Sequence, residues 1–142
     1  MSRLRIGVDA RELLGDTTGV GRYLGELLRR WTTRADADVR EFILFTPDAL
    51  RRSFPGTDVR VLGGRSGTWW EQTTLGAAVR REAPDVFFAP AYTAPLRLAV
   101  PLVVTIHDVS FSRHPEWFSF REGTRRRWLT RSAARRDRKS VV

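Results

Sequence analysis

Val103-Val104-Thr105-Ile106-His107-Asp108-Val109-Ser110-Phe111 is the stretch that decides the fold of this chain. A run of β-branched and apolar residues leads to a histidine and an aspartate, which is typical of a buried strand that ends at His107. In an open α/β sheet, ligands bind at the carboxyl ends of the strands. The stretch therefore predicts titratable side chains at the functional edge of a sheet. The alternative is that His107 only ends the strand and Asp108 only opens a turn.

The rest of the chain alternates strand patterns with helix patterns. Short apolar runs predict strands over residues 3–9, 41–46, 59–62, 85–89 and 101–107. Helical spacing of apolar residues predicts a first helix through Val20, Tyr23, Leu24, Leu27, Leu28 and Trp31. The alternation predicts an α/β, Rossmann-like fold, with a parallel sheet of order 3-2-1-4-5 and helices on both faces. The connections after the second and fourth strands are too short for a full helix.

Two further helices are predicted from their first residues. Thr68 and Glu71 have the spacing of a capping box for a helix over residues 68–82, and Ser119 and Glu122 have it for a last, Arg-rich helix. On a regular helix, Trp69 and Trp70 would point away from the side that packs on the sheet. They could stack on a ligand ring or fill a gap beneath the loops.

Composition limits the possible classes of protein. A chain of 142 residues with 42% hydrophobic residues and five tryptophans predicts one globular domain. The absence of cysteine excludes disulfides and thiolate metal sites, and two histidines without a dense carboxylate cluster predict no metal site. There is no signal-like or membrane-spanning apolar stretch, so a cytoplasmic protein is expected.

The formal net charge of +9 is concentrated at one end of the chain. Residues 121–139 contain nine basic and two acidic residues, whereas residues 1–120 contain sixteen basic and fourteen acidic ones. Such a segment can bind an anionic surface, such as lipid headgroups or nucleic acid. The alternative is a helix with one solvated, charged face.

Three loops are expected to line one crevice, namely residues 17–21, 90–95 and 107–111. Gly19 and Gly21 lie at a helix start, where backbone N–H groups and the helix dipole favour an anion such as phosphate. The alternative is that these glycines only ease the turn into the helix. Leu24 occupies the third glycine position of the dinucleotide fingerprint, so that fingerprint is absent.

Four motifs in order carry a resemblance to a known family. They are Gly7-Val8-Asp9-Ala10-Arg11-Glu12-Leu13, Thr18-Gly19-Val20-Gly21-Arg22-Tyr23, Ala89-Pro90-Ala91-Tyr92 and Thr105-Ile106-His107-Asp108. Together they resemble the N-terminal domain of bacterial family-4 glycosyltransferases, which are retaining enzymes of the GT-B fold. The resemblance implies a hexosyltransferase-type enzyme that uses a nucleotide-diphosphate sugar as donor, without a cofactor or a catalytic metal.

The resemblance also implies roles for individual residues. The donor diphosphate would lie against Gly19 and Gly21, with Arg22 nearby, and His107 would lie near the donor sugar as the catalytic residue. In this family the N-terminal domain holds the acceptor. The residues expected to contact the acceptor here are Asp108, Tyr92, Trp69, Trp70 and Glu71.

The domain organisation follows from the same resemblance. Residues 1–136 are expected to form the acceptor-side domain, without the C-terminal donor-binding domain, so this chain alone is expected to be inactive. Residues 137–142 include the only lysine, Lys139, and match a reading frame of a common sequencing adapter. They are therefore predicted to be a non-native or artefactual tail.

The expected acceptor is a polysaccharide or glycolipid, with the helix over residues 119–136 in peripheral contact with the inner face of a membrane. The alternative function is a small α/β binding module that uses this helix on nucleic acid or an anionic membrane surface. No RNA-binding motif is present, so specific nucleic-acid recognition is not expected.

Overall fold

The computed structural model describes residues 2–15, 18–34, 36–107, 113–117 and 119–136. Five parallel strands form one sheet in the order β3-β2-β1-β4-β5, which confirms the predicted order. The strands are β1 (Leu4–Asp9), β2 (Arg40–Thr46), β3 (Thr57–Val61), β4 (Val86–Ala89) and β5 (Leu102–Val104). The connections from β2 to β3 and from β4 to β5 contain no helix, as their lengths predict.

Three long helices accompany the sheet. They are α1 (Gly19–Thr32), the continuous helix α2 (segments Thr68–Trp70, Glu71–Leu75 and Gly76–Glu82) and α3 (Phe120–Arg136). Short 3₁₀ turns cover Arg11–Leu13, Ala37–Val39 and Pro115–Trp117. No helix in the described part of the chain is both long enough and apolar enough to cross a membrane.

The core has two layers because successive side chains of a strand point to opposite faces. On one face, Phe42 and Leu44 of β2 pack with Leu24 and Leu28 of α1. On the other face, their neighbours in β2 pack against α2 and β4, in a cluster that includes Ile43, Phe45, Leu75, Val79 and Phe87. Both faces of the sheet are therefore covered, as predicted.

The fifth strand is shorter than the predicted residues 101–107. Its partner β4 ends at Ala89, whose carbonyl accepts the Thr105 N–H at 3.0 Å. The Thr105 carbonyl then accepts the N–H of Tyr92 at 3.0 Å, which belongs to the turn after β4 and no longer to a strand. Residues 106 and 107 consequently have no partner strand among the described residues, and His107 lies just beyond the sheet edge rather than within it.

The capping box predicted at Thr68 and Glu71 is wrong. Gly67 precedes the helix and no side chain caps its first turn, while Thr68 is already helical. The Glu71 carboxylate is held by Arg11, from a loop sixty residues earlier in the chain. In α3, the Ser119 hydroxyl does accept the Glu122 N–H at 3.3 Å, as expected of a cap.

The orientation predicted for Trp70 is also wrong, and a local change of helix type explains it. Residues Glu71–Leu75 form a π-helical segment, which has a wider turn than the α-helix. Trp70 and Leu75, five residues apart, consequently share the buried face, and Trp70 is 2% exposed in the core. Its indole N–H donates to the Gly63 carbonyl at 2.8 Å. Trp69 faces outward and is 81% exposed.

The two neighbouring tryptophans should therefore differ sharply in their effect on stability. We expect Trp70→Ala to lower the free energy of unfolding by about 3–5 kcal/mol, because it empties a buried aromatic site. Trp69→Ala, the matched control, should change it by less than about 0.5 kcal/mol. Urea unfolding followed by circular dichroism measures both free energies. Equal effects would contradict the conclusion that the π-helical segment turns Trp70, and not Trp69, into the core.

Candidate functional site

A cavity of about 360 Å³ opens at the carboxyl edge of the sheet. Its walls come from the loops after β1, β3 and β4, from the start of α1 and from one side of α3. Val20 and residues 91–93 line it, so two of the three loops predicted to share a crevice do so. In the third loop, His107 lies beside the cavity, and residues 108–111 lie outside the described residues.

Arg11 joins two buried carboxylates on the wall of this cavity. Its Nη2 atom lies 2.7 Å from Asp9 Oδ2 and 2.5 Å from Glu71 Oε2. Asp9, at the end of β1, and Glu71, in α2, are only 4% and 2% exposed. Burial alone would lower the pKa of Arg11, but the two carboxylates outweigh burial and hold that pKa above its ordinary value. The guanidinium therefore stays charged, and its plane also covers the Trp70 ring.

The Glu71 carboxylate accepts hydrogen bonds from three protein side chains. Besides Arg11, it accepts the Thr93 hydroxyl at 2.7 Å and the Gln72 side-chain amide at 2.8 Å. Gln72 in turn accepts the Leu96 N–H at 2.9 Å. These bonds attach α2 to the loop after β4. The predicted contact of Glu71 with an acceptor hydroxyl stays a prediction, and its three protein donors are what the structure shows.

The structure brings His107 and Tyr92 together. The His107 Nε2 atom lies 2.7 Å from the Pro90 carbonyl oxygen, and the imidazole packs edge-on against the rings of Tyr92 and Tyr23. The Tyr23 hydroxyl is 3.2 Å from the Thr105 hydroxyl. His107 is nevertheless among the exposed residues, so a ligand at the sheet edge can reach it.

The two glycines at the start of α1 differ in their surroundings. The Gly21 N–H donates to the Thr18 hydroxyl at 3.0 Å, and a Cβ atom at this position would collide with the Glu12 carbonyl oxygen. Gly21 therefore has a packing role. Around Gly19, nothing lies within 4 Å of such a Cβ atom. Arg22, which follows Gly21, is exposed. Contact of these residues with a diphosphate stays a prediction.

The remaining predicted acceptor residues do not gather at the cavity. Trp70 is in the core beneath Arg11, and Trp69 projects outward near the rim formed by residues 66–68. Asp108 lies outside the described residues. Within the part of the chain that the structure describes, no group of three or more histidine or carboxylate side chains could hold a metal ion.

Sequence reasoning missed the site roles of several residues that the structure places here. Thr93 and Gln72 connect Glu71 to the loop after β4, and Tyr23 and Thr105 support His107. Helical spacing assigned Tyr23 to the core of α1, and it is in fact partly buried at the end of that helix nearest the site. A hydroxyl residue following the Ala-Pro-Ala-Tyr motif was the one available signal for Thr93.

Removing Arg11 should leave two carboxylates buried without a cation. We expect Arg11→Met to lower the free energy of unfolding by about 3–5 kcal/mol near neutral pH. Arg29→Met, which breaks the exposed pair with Glu26, is the matched control and should cost less than about 1 kcal/mol. Urea unfolding at neutral pH measures both free energies, and an equal cost in the two variants would contradict the role given to Arg11.

Comparison with protein families bears on the resemblance of the four motifs. The family model described as Glycosyltransferase Family 4 matches residues 17–142. A search of curated proteins finds no match. The family match spans most of the chain and agrees with the Rossmann-like sheet, so it also confirms the family predicted from the motifs. The chain therefore belongs to Glycosyltransferase Family 4 and is an N-terminal domain of that family.

Proposed function

We propose that this domain is the acceptor-side half of a retaining hexosyltransferase that works without a catalytic metal. The enzyme transfers a sugar from a nucleotide-diphosphate donor to a bacterial polysaccharide or glycolipid. The observation that carries the proposal is the cavity at the carboxyl edge of the sheet, which Tyr92 lines and His107 adjoins through its contact with Tyr92. Ligands of open α/β sheets bind at this edge.

The donor diphosphate is assigned to the start of α1. The first N–H groups of a helix have no partner within the helix and favour an anion there. Since the Gly21 N–H is already used by Thr18, the donors facing the phosphates are those of Gly19 and Val20. Exposed Arg22 adds positive charge nearby. Such donors stabilise the negative charge that develops on the leaving diphosphate.

The acceptor is assigned to the cavity itself. The Tyr92 ring offers an apolar face to a sugar, and Thr68 and Thr93 line the same space. Trp69, which is exposed near the rim, and Asp108 remain candidate outer contacts. His107 is assigned to the boundary between donor and acceptor, because its imidazole touches Tyr92 of the cavity and Tyr23 of α1.

The test of this proposal is a sugar-transfer assay on an enzyme in which this domain is joined to a donor-binding domain. There, His107→Ala should lower kcat/KM by about a hundredfold or more, the cost of removing a group aimed at the transition state. His114→Ala is the matched control and should leave kcat/KM nearly unchanged. His114 stacks on Trp117 and pairs with Glu116, apart from the cavity.

The chain alone is proposed to be inactive. It is proposed to bind sugar nucleotides with a dissociation constant in the millimolar range, or not at all. Sugar-nucleotide hydrolysis or transfer by the purified 142-residue chain would contradict this part. Equal loss of kcat/KM in the two histidine variants would contradict the assignment of His107. Sequencing the gene beyond codon 136 tests whether a second Rossmann-like domain follows.

A second proposal concerns the outer face of α3, which we define as the exposed residues Phe120, Arg121, Arg125, Trp128, Arg131 and Arg135. Trp128 is 59% and Phe120 is 84% exposed. The opposite face packs on the domain through Gly123, Leu129 and Ala133. Arginines combined with exposed aromatic rings suit an anionic membrane surface. This face is proposed to hold the enzyme at the inner side of the membrane, where a glycolipid acceptor is available.

Vesicle binding tests the outer face of α3. The chain should bind phosphatidylcholine vesicles that contain phosphatidylglycerol and not pure phosphatidylcholine. Replacing Arg121, Arg131 and Arg135 with glutamine should weaken binding by about a hundredfold, at roughly 1 kcal/mol for each charge. The same change at exposed Arg30, Arg51 and Arg65 is the matched control. Tighter binding to generic DNA than to these vesicles would favour a nucleic-acid role instead.

A further inference from the structure

Tyr92 has an unusual backbone conformation at the edge of the cavity. Its φ angle is +62°, in the left-handed region that side chains with a Cβ atom rarely adopt. The Thr93 N–H donates to the Ala91 carbonyl at 2.6 Å, which makes Tyr92 the centre of a tight three-residue turn. Such a conformation is unfavourable for a residue with a Cβ atom and persists only where surrounding contacts enforce it.

Contacts on both sides of the turn enforce this conformation. On one side, the Tyr92 N–H donates to the Thr105 carbonyl at 3.0 Å, which attaches the turn to the end of β5. On the other side, the Thr93 hydroxyl donates to Glu71 at 2.7 Å, which attaches it to α2. Glu71 is itself fixed by Arg11. The turn is therefore held between two elements of the fold rather than by its own sequence.

The strain has a consequence for the ligand side of the molecule. In this conformation the Tyr92 residue lines the cavity while its ring centroid lies 5.8 Å from that of His107. Relaxing the turn to a negative φ would redirect the Cα–Cβ bond and with it the ring. A glycine would satisfy the same backbone without strain but would offer no ring.

We propose that Glu71 is a positioning residue that acts through Thr93 to hold the strained turn and so presents the Tyr92 ring to the sugar ligand. Glu71, which itself lines the cavity, thus also shapes it through the turn. The nature of the ligand rests on the proposed function, whereas the coupling between Glu71, Thr93 and Tyr92 is a property of the domain itself.

Stability measurements test the strain. Tyr92→Gly and Tyr92→Ala both remove the ring and differ only in the Cβ atom that the left-handed backbone disfavours. The glycine variant should melt several degrees higher than the alanine variant, since about 1 kcal/mol shifts the Tm of a domain this size by a few degrees. An alanine variant that melts at the same temperature or higher would overturn the proposal.

NMR spectroscopy of the 142-residue chain tests the coupling. The chain has two histidines, so His114→Gln assigns the His107 imidazole protons, which sense the Tyr92 ring. Thr93→Val should move these resonances most of the way to their positions in Tyr92→Gly, and Thr93→Ser should restore the wild-type positions. Thr73→Val is the matched control, because the Thr73 hydroxyl bonds only within α2, to the Trp69 carbonyl.

Unchanged His107 resonances in Thr93→Val would overturn the proposal, and so would an equal shift in Thr73→Val. Should Thr93→Val fail to fold, Glu71→Gln provides the same reading, with a partial shift expected because the amide still accepts from Thr93. An absence of shift in Glu71→Gln would then overturn it. None of these measurements needs a sugar substrate, so they can fail while the transferase assay succeeds, and the reverse.

Discussion

Arg11 bridges Asp9 and Glu71, two carboxylates that are withdrawn from water at the carboxyl edge of the sheet. Burying a carboxylate costs roughly several kcal/mol unless a cation and hydrogen bonds replace the water that it loses. Asp9 belongs to β1, Glu71 to α2 and the Thr93 donor to the loop after β4. One ion cluster therefore fixes three elements that are distant in sequence, and the cavity wall has a single well-satisfied arrangement. The position of Tyr92, and through it the surroundings of His107, depends on that arrangement.

The fold was largely predictable because its signals are local or topological. Alternating apolar residues marked the strands, and the succession of strands and helices implied a parallel sheet of order 3-2-1-4-5. What failed were features that depend on distant partners. The capping pattern at Thr68 was overridden because Arg11 competes for Glu71, and the helical wheel misplaced Trp70 because the π-helical segment adds a residue to the turn. Neither Arg11 nor the wider turn can be recognised from a window of residues around Trp70.

The site was predictable to the level of its loops but not of its contacts. The pattern at the end of β5 located His107, and the motif after β4 located Tyr92. Their ring contact, however, depends on where β5 leaves β4, whose last residue is Ala89. The left-handed backbone of Tyr92 could not be foreseen, because sequence signals for that conformation are glycine, asparagine and aspartate. A tyrosine adopts it only when the tertiary structure supplies the restraining bonds. Those bonds are specified by Glu71 and Thr105, which local patterns treat as a helix cap and a strand residue.

The last helix links the cavity to the outer surface of the domain. Leu129 of α3 lines the cavity from the buried side, while Trp128, its neighbour in sequence, belongs to the opposite, exposed face. Arg125 belongs to both surfaces, since it is exposed and also lines the cavity. An anionic group that approaches along the outer face therefore meets the same row of arginines that leads to the cavity mouth. If the proposed glycolipid acceptor and membrane contact hold, the acceptor needs no separate recruitment site, because binding along this face would bring its headgroup to the cavity lined by Tyr92 and Thr93.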